Sequence, residues 1–269
     1  MQAVPDPSSA VPTLLNSREQ PPYSVYNPQG QSGLVLVCDH AKNAIPRSLG
    51  TLGLSQAALN THIALDIGCE ALSVAIADRL DSVLVMGGFS RLVVDLNRHP
   101  EHPTSIPLAS DGVEIPGNRQ LSGHDRRQRI DEVFSPYHKA LAAEVQRVGA
   151  QHPRIALISL HSFTPYADGA SRPWHLSILW NKDQRLSRPL LEGLRREAGL
   201  CIGDNQPYDA RKYFGYTVDA YANINTLAHV MIEARQDILD SKDGIAKWAD
   251  LLATQLRRAL PACGVFISN

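Results

Sequence analysis

Apolar residues fall in short, near-continuous blocks separated by longer stretches with helical periodicity. The blocks are "GLVLVCDHA" (residues 33–41), "SVLVMG" (82–87), "RIALISLHSF" (154–163), "HLSILW" (175–180) and "HVMIEAR" (229–235). Such runs predict strands buried on both faces. Between them, "SQAALNTHIALDIGCEALSVAIADRL" (55–80) carries apolar residues at helical spacing behind Ser55, a candidate N-cap. "DRRQRIDEVFSPYHKALAAEVQRV" (125–148) predicts a charged amphipathic helix kinked at Pro136. "SRPLLEGLRREAG" (187–199) has an N-cap, a first-turn Pro and a closing Gly, and "DGIAKWADLLATQLRRAL" (243–260) predicts the last helix. After Gly87 and Gly88, "FSRLVVDLN" (89–97) reads as one more strand. The Gly/Pro-rich stretch from His99 to Gly123 is long for a connection and reads as a functional flap.

Strands that alternate with helices predict an α/β fold, a mostly parallel sheet with helices on both faces. Residues 1–30, rich in Pro, Ser and Gln, read as an extended arm, and residues 31–269 as one α/β domain without an internal repeat. Ligands of such sheets bind at the carboxyl ends of the strands.

Composition narrows the class of partner. The 269 residues carry a net charge of -1, so no strong field points to nucleic acid or an anionic membrane. No apolar run reaches the roughly 18–20 residues of a membrane span, and the start lacks the basic and apolar regions of a signal peptide. Cys38, Cys69, Cys201 and Cys263 are widely spaced, which suits a reducing cytoplasm rather than a disulfide framework. A small-molecule ligand is the expectation.

The chemistry sits at the strand ends. "VLVCDH" delivers His40, "LISLHS" delivers His161, and "VMIEAR" holds Glu233 in an apolar setting that raises a carboxyl pKa toward general-base duty. Two His and a carboxylate from separate strands suit a divalent metal site with a separate base. Asp66, in the apolar "HIALDIG", is the favoured third ligand over Asn43 and Glu70, with His62 and Glu70 as outer partners or a solvated helix face. Asp95 and Asn97 would share one face of a strand, and Arg98 would grip a carboxylate through two parallel hydrogen bonds, with Arg91 as a second cation. The alternative for Arg98 is a structural pair with Asp95. Glu233 has a similar alternative, an ion pair with Arg235. Arg211 and Lys212, with Tyr213 or Tyr216 as donors, offer a second anion site.

"CDHAKNAIP", "HIALDIG", "FSRLVVDLNR", "LISLHSFTP", "GDNQPYDA" and "HVMIEARQD", spread over residues 33–240, together resemble the N-formylglutamate amidohydrolase family. That family is in turn similar to the zinc carboxypeptidases, which implies a mixed sheet flanked by helices, a bound Zn2+ and hydrolysis of an N-acyl (N-formyl) amino acid. The resemblance implies that His40 and His161 ligate the metal, Asn97 and Arg98 grip substrate, and Glu233 activates water. The carboxypeptidase pattern has Glu three residues after its first His; here Asn43 stands there. That departure keeps two alternatives open: a ligand-binding sensor without catalysis, or an amidase for peptides or cell-wall amides.

Overall fold

The computed structural model describes residues 13–167, 169–212, 215–223 and 227–267. Seven strands form one sheet: β1 (Tyr23–Tyr26), β2 (Leu34–Cys38), β3 (Val83–Gly87), β4 (Ala156–Phe163), β5 (Leu176–Leu179), β6 (Ile202–Asp204) and β7 (Ala228–Arg235). Their spatial order is β1-β3-β2-β4-β7-β5-β6. The central four, β3, β2, β4 and β7, run parallel. β1 is antiparallel to β3, β5 is antiparallel to β7, and β6 follows β5 in parallel. The sheet is therefore mixed and mostly parallel.

Side chains alternate across it. Leu34, Leu36, Ile158, Leu160, Val230 and Ile232 face one core, shared with helices α1 (Cys69–Leu80), α4 (Ser187–Leu194) and α5 (Lys242–Ala259). Val35, Val37, Leu157 and Met231 face the other core, covered by α3 (Ser135–Gln151). Helices thus flank both faces, and burial on both sides explains the unbroken apolar runs.

Three local expectations give way. The helix read over 55–80 splits into a short turn, Gln56–Leu59, capped by the Ser55 hydroxyl, and α1. Gly68 lies between them at φ 75°, a left-handed conformation, and a Cβ there would come within 2.5 Å of Leu239. The Asp66 N–H leaves the helix pattern to donate to the His40 carbonyl at 3.0 Å.

The strand read over "FSRLVVDLN" is instead a buried coil of turns. Leu92, Val93, Val94 and Leu96 are almost fully buried, so the apolar signal was real. Their carbonyls, however, find side-chain donors. Asn118 Nδ2 donates to Leu92, Arg129 Nη1 to Val93, and His138 Nε2 to Leu96. Buried backbone groups need partners, and donors from the flap and the following helices replace a ladder.

At Pro136 the missing N–H is absorbed by a π-helical turn, Ile130–Phe134, that joins α2 (Gly123–Arg129) to α3. The segment read as an arm also contributes to the fold, because Tyr23–Tyr26 is the sheet's edge strand. Upstream, the N–H groups of Leu14 and Leu15 donate to Glu132. Residues 1–12 lie outside the described residues.

Candidate active site

The alternation that sorts the two cores also builds the site. Along β4, Leu157, Ser159 and His161 share one face; along β7, Met231 and Glu233 do, and the register sets Glu233 opposite His161. Val35 and Val37 lead on the same face of β2 to Asp39, with His40 one residue further. Asp39, His40, His161 and Glu233 lie toward the carboxyl end of the parallel strands, where the order of a twisted sheet leaves a crevice.

His40, Asp66 and His161 meet there. One ligand-capable atom from each lies within 4.8 Å of the others, and all three residues are buried. The imidazole centroids are 5.0 Å apart. Asp66 Oδ2 is 2.8 Å from Nδ1 of His161 and 3.4 Å from Nδ1 of His40. The loop that holds Asp66 is fixed through its N–H to the His40 carbonyl, so strand end and loop are placed as a unit.

Each imidazole is oriented from behind by a second carboxylate. Nε2 of His40 is 2.7 Å from Asp95 Oδ1, and Nε2 of His161 is 3.3 Å from Asp39 Oδ2 and 3.0 Å from Ser159 Oγ. Asp39 is fully buried, and its other oxygen accepts from the hydroxyls of Tyr137 and Thr217, both at 2.7 Å. The Asp95 carboxylate on the outer nitrogen of His40, and the Ser159 hydroxyl with the nearby Asp39 charge on that of His161, leave both Nδ1 atoms facing inward, as behind metal-binding histidines. Asp39 and the orienting role of Asp95 went unread in the sequence. The signal lay in the strand parity, which sets Asp39 on the face of Val37.

Electrostatics follow from this packing. Burial opposes the charge of Asp66, but the two imidazoles outweigh it and hold the carboxyl well below the usual range. Asp95 is held down in the same way against burial, by Arg91 and His40. Glu233 has no such partner: burial pushes it up to about 7, against the pull of His161. Its Oε2 is buried without a hydrogen bond, as is Nδ1 of His40. These unsatisfied buried atoms, together with Asp39 Oδ2, fit a cation and a water-handling carboxyl at the His/His/Asp cluster. Arg235 pairs with Asp237 at 2.7 Å rather than with Glu233.

The cluster opens into a cavity of about 540 Å³ lined by Arg91, Asn97, Arg98, Tyr208, Lys212 and Glu233 among others. The flap from His99 to Gly123 supplies none of the lining. Asn97 Oδ1 accepts from the Thr217 N–H at 3.1 Å, and its Nδ2 lies 3.4 Å from Nε2 of His161. Gly215, at φ 98°, backs this amide so closely that a Cβ would come within 2.5 Å of Asn97 Oδ1. Arg98 Nε is 3.5 Å from Asp95 Oδ2, so the structural pair coexists with its place on the cavity wall. Arg91 bridges Asp95 at 2.9 Å and Asp66 at 3.4 Å, which commits its charge to the cluster.

Other expected residues stand elsewhere. Arg211 is exposed and paired with Asp209 at 2.8 Å, so its neighbour Lys212 provides the cation on the wall. The Tyr216 ring packs against Phe134 and His138 rather than lining the cavity, because its N–H is drawn to the Asn97 carbonyl. Tyr213 lies outside the described residues. Asn43 donates its amide to Leu59 and Asn60, Glu70 pairs with Lys42, and His62 pairs with Asp111 at 3.0 Å. None of the three joins the cluster. A larger hollow of about 660 Å³, at the amino ends of β4 and β7, gathers no comparable acid/base set.

Comparison with known proteins places this geometry. The family model described as N-formylglutamate amidohydrolase matches residues 32–239. The chain belongs to the N-formylglutamate amidohydrolase family. The gene product Atu2144 of Agrobacterium tumefaciens has a similar solved structure, with 32% identity and a TM-score of 0.89 over 93% of this chain and 98% of that one. An N-formylglutamate amidohydrolase from Ralstonia eutropha JMP134 shares the fold at 21% identity, with a TM-score of 0.64 over 90% of this chain and 98% of its own. No functionally curated protein matches the sequence significantly.

Family membership makes this chain a hydrolase acting on amides, and the N-formylglutamate amidohydrolase match spans every residue of the cluster together with Glu233. No helix among the described residues is long and apolar enough to cross a membrane.

Proposed function

We propose that the protein is a zinc-dependent amidohydrolase that cleaves an N-acyl, in the first instance N-formyl, amino acid to a carboxylate and a free amine. One observation carries this reading: two histidine Nδ1 atoms converge on one oxygen of Asp66, in a cavity that also holds an unpaired carboxyl of near-neutral pKa.

His40, His161 and Asp66 would hold the ion; two nitrogens and one oxygen suit zinc. When bound, such an ion polarises an amide carbonyl and acidifies water. Glu233 accepts a proton from the attacking water and returns it to the nitrogen as the C–N bond breaks. Lys212 and Arg98 hold the amino-acid carboxylate, and Asn97 donates to the substrate from the same wall. Arg91 keeps Asp66 and Asp95 in their charged forms. Asp39 and Asp95 keep the imidazoles turned inward.

The ligand in this reading is a small molecule in the cytoplasm, and neither nucleic acid nor membrane enters. The sensor alternative, motivated by Asn43 where the carboxypeptidase pattern has Glu, predicts thermal stabilisation by ligand without product release under any divalent metal. The test is amine release from N-formyl and N-acetyl amino acids, with and without chelator. Chelator-sensitive turnover is expected, with N-formylglutamate and N-formylaspartate first in the panel. Turnover that survives complete metal removal would sink the proposal.

A further inference from the structure

Thr217 is fully buried and does not line the substrate cavity, yet both of its donors are spent on the site. Its N–H donates to Oδ1 of Asn97 at 3.1 Å, and its hydroxyl donates to Oδ1 of Asp39 at 2.7 Å. Asn97 stands on the cavity wall. Asp39 stands behind His161, with Oδ2 3.3 Å from Nε2. One side chain thus joins the substrate wall to a candidate metal ligand.

The two ends of this link are held differently. Asp39 follows β2 directly, and Tyr137 of α3, also fully buried, donates to the same Oδ1 at 2.7 Å. Sheet and helix therefore set that carboxylate independently of Thr217. The segment Gly215–Val218 has less support of its own. Its single helical turn, Tyr216–Val218, is too short to be stable alone. Val218 packs in the core beneath it, while its backbone is pinned through Asn97, whose carbonyl accepts the Tyr216 N–H at 3.0 Å. The hydroxyl bond to Asp39 completes the docking. His161, once it holds an ion, keeps one orientation, and Asp39 behind it then offers Thr217 a fixed acceptor.

We propose that Thr217 is a positioning residue that couples the two halves of the site. Metal held by His161 tightens the docking of Gly215–Val218 on Asn97, and that docking strengthens metal binding by the same factor. The inference rests on the amidohydrolase reading and adds to it a link between the ion and the substrate wall. The Thr217 hydroxyl transmits the coupling, and the N–H on Asn97 delivers it to the wall.

Thr217→Val keeps the side-chain shape and the N–H but deletes the donor, whereas Thr217→Ser keeps the hydroxyl. Amide hydrogen exchange of the full chain, with and without Zn2+, measures docking without any substrate, and exchange in α5 serves as the reference for global stabilisation. In the wild type Zn2+ should slow exchange of the Tyr216 and Thr217 N–H groups by about tenfold or more beyond that reference. Thr217→Val should lose this protection and bind Zn2+ about tenfold more weakly in competition with a chromophoric chelator; Thr217→Ser should restore both. Exchange that ignores Zn2+ in the wild type, or protection that survives in Thr217→Val, overturns the coupling. Should Thr217→Val not fold, Asp39→Asn at saturating Zn2+ breaks the link from its other end, and persistent protection there overturns it equally. With an N-formyl amino acid that the wild type cleaves, Thr217→Val should also raise KM, and an unchanged KM overturns the link to the wall. If the wild type binds Zn2+ but cleaves nothing, the amidohydrolase reading fails separately, and the exchange and chelator measurements still decide the coupling. A wild type that binds no Zn2+ overturns both.

Discussion

Asp95 Oδ1 lies 2.7 Å from Nε2 of His40, while its second oxygen takes Arg91 at 2.9 Å. A residue three places before the Arg98 of the expected substrate grip therefore orients a candidate metal ligand instead. Replacing it with the neutral isostere removes the charge that fixes the His40 tautomer. Asp95→Asn should lower divalent-metal affinity by roughly 10- to 100-fold, and Asp39→Asn should do the same through His161. Competition against a chromophoric chelator measures this; wild-type affinity in both variants would mean that the carboxylates serve packing alone.

Glu233 is pushed up to about 7 by burial. A general base must be ionised, so kcat/KM should fall with decreasing pH along an acid limb at or below about pH 7, a bound cation shifting the limb downward. Glu233→Gln should retain metal and lose at least about 100-fold in kcat. A pH profile without an acid limb, or an active Glu233→Gln variant, takes the base role from this residue.

His138 is a stability element with a pH signature. Burial lowers it to about 4, against the favourable pulls of Asp39 and the Leu96 carbonyl. An unfolded histidine titrates near 6.5, so between these values the unfolded chain binds a proton that the folded chain does not. Stability is full above about pH 6.5, falls as pH drops, and levels off below about 4, a total of about 3 kcal/mol. Denaturant melts of wild type and His138→Gln across this range should diverge, with the variant less acid-sensitive. Parallel curves would show that other groups govern the acid limb.

Gly215 combines φ 98° with ψ 147°, a region that only glycine visits readily. Gly215→Ala should cost about 1–3 kcal/mol and push the Asn97 amide from its place, raising KM as well. Chemical denaturation and steady-state kinetics check both effects. A variant of wild-type stability would mean that the loop before Tyr216 relaxes freely around the new methyl group.

Much of this architecture is legible in the chain itself. The β2, β4 and β7 runs, their apolar continuity and their polar ends mark His40, His161 and Glu233, because a strand buried on both faces has few other reasons to end in ionisable groups. The coil at 89–97 was illegible for a physical reason. Apolar burial and strand pairing usually go together, but here Asn118, Arg129 and His138, from 26 to 42 positions downstream of their acceptors, satisfy the carbonyls without a neighbouring strand. The apolar surroundings of Asp66 mark it as core-facing, but helical spacing continues across the break at Gly68 and hides the loop that holds it. Arg211 misled because residue type says nothing of direction; the Asp209 carboxylate two residues away turns it outward.

By itself, the sequence determined which segments are buried, the parity that sends Asp39, His161 and Glu233 to one face, and the kinds of side chain available there. These are local properties of alternation and solvation. Tertiary structure alone decided that two imidazoles and Asp66 share a point in space, and that Asp39 and Asp95 stand behind them. Those relations join residues as far apart in the chain as Asp39 and His161, and only the strand order and the loop anchored to the His40 carbonyl bring them together.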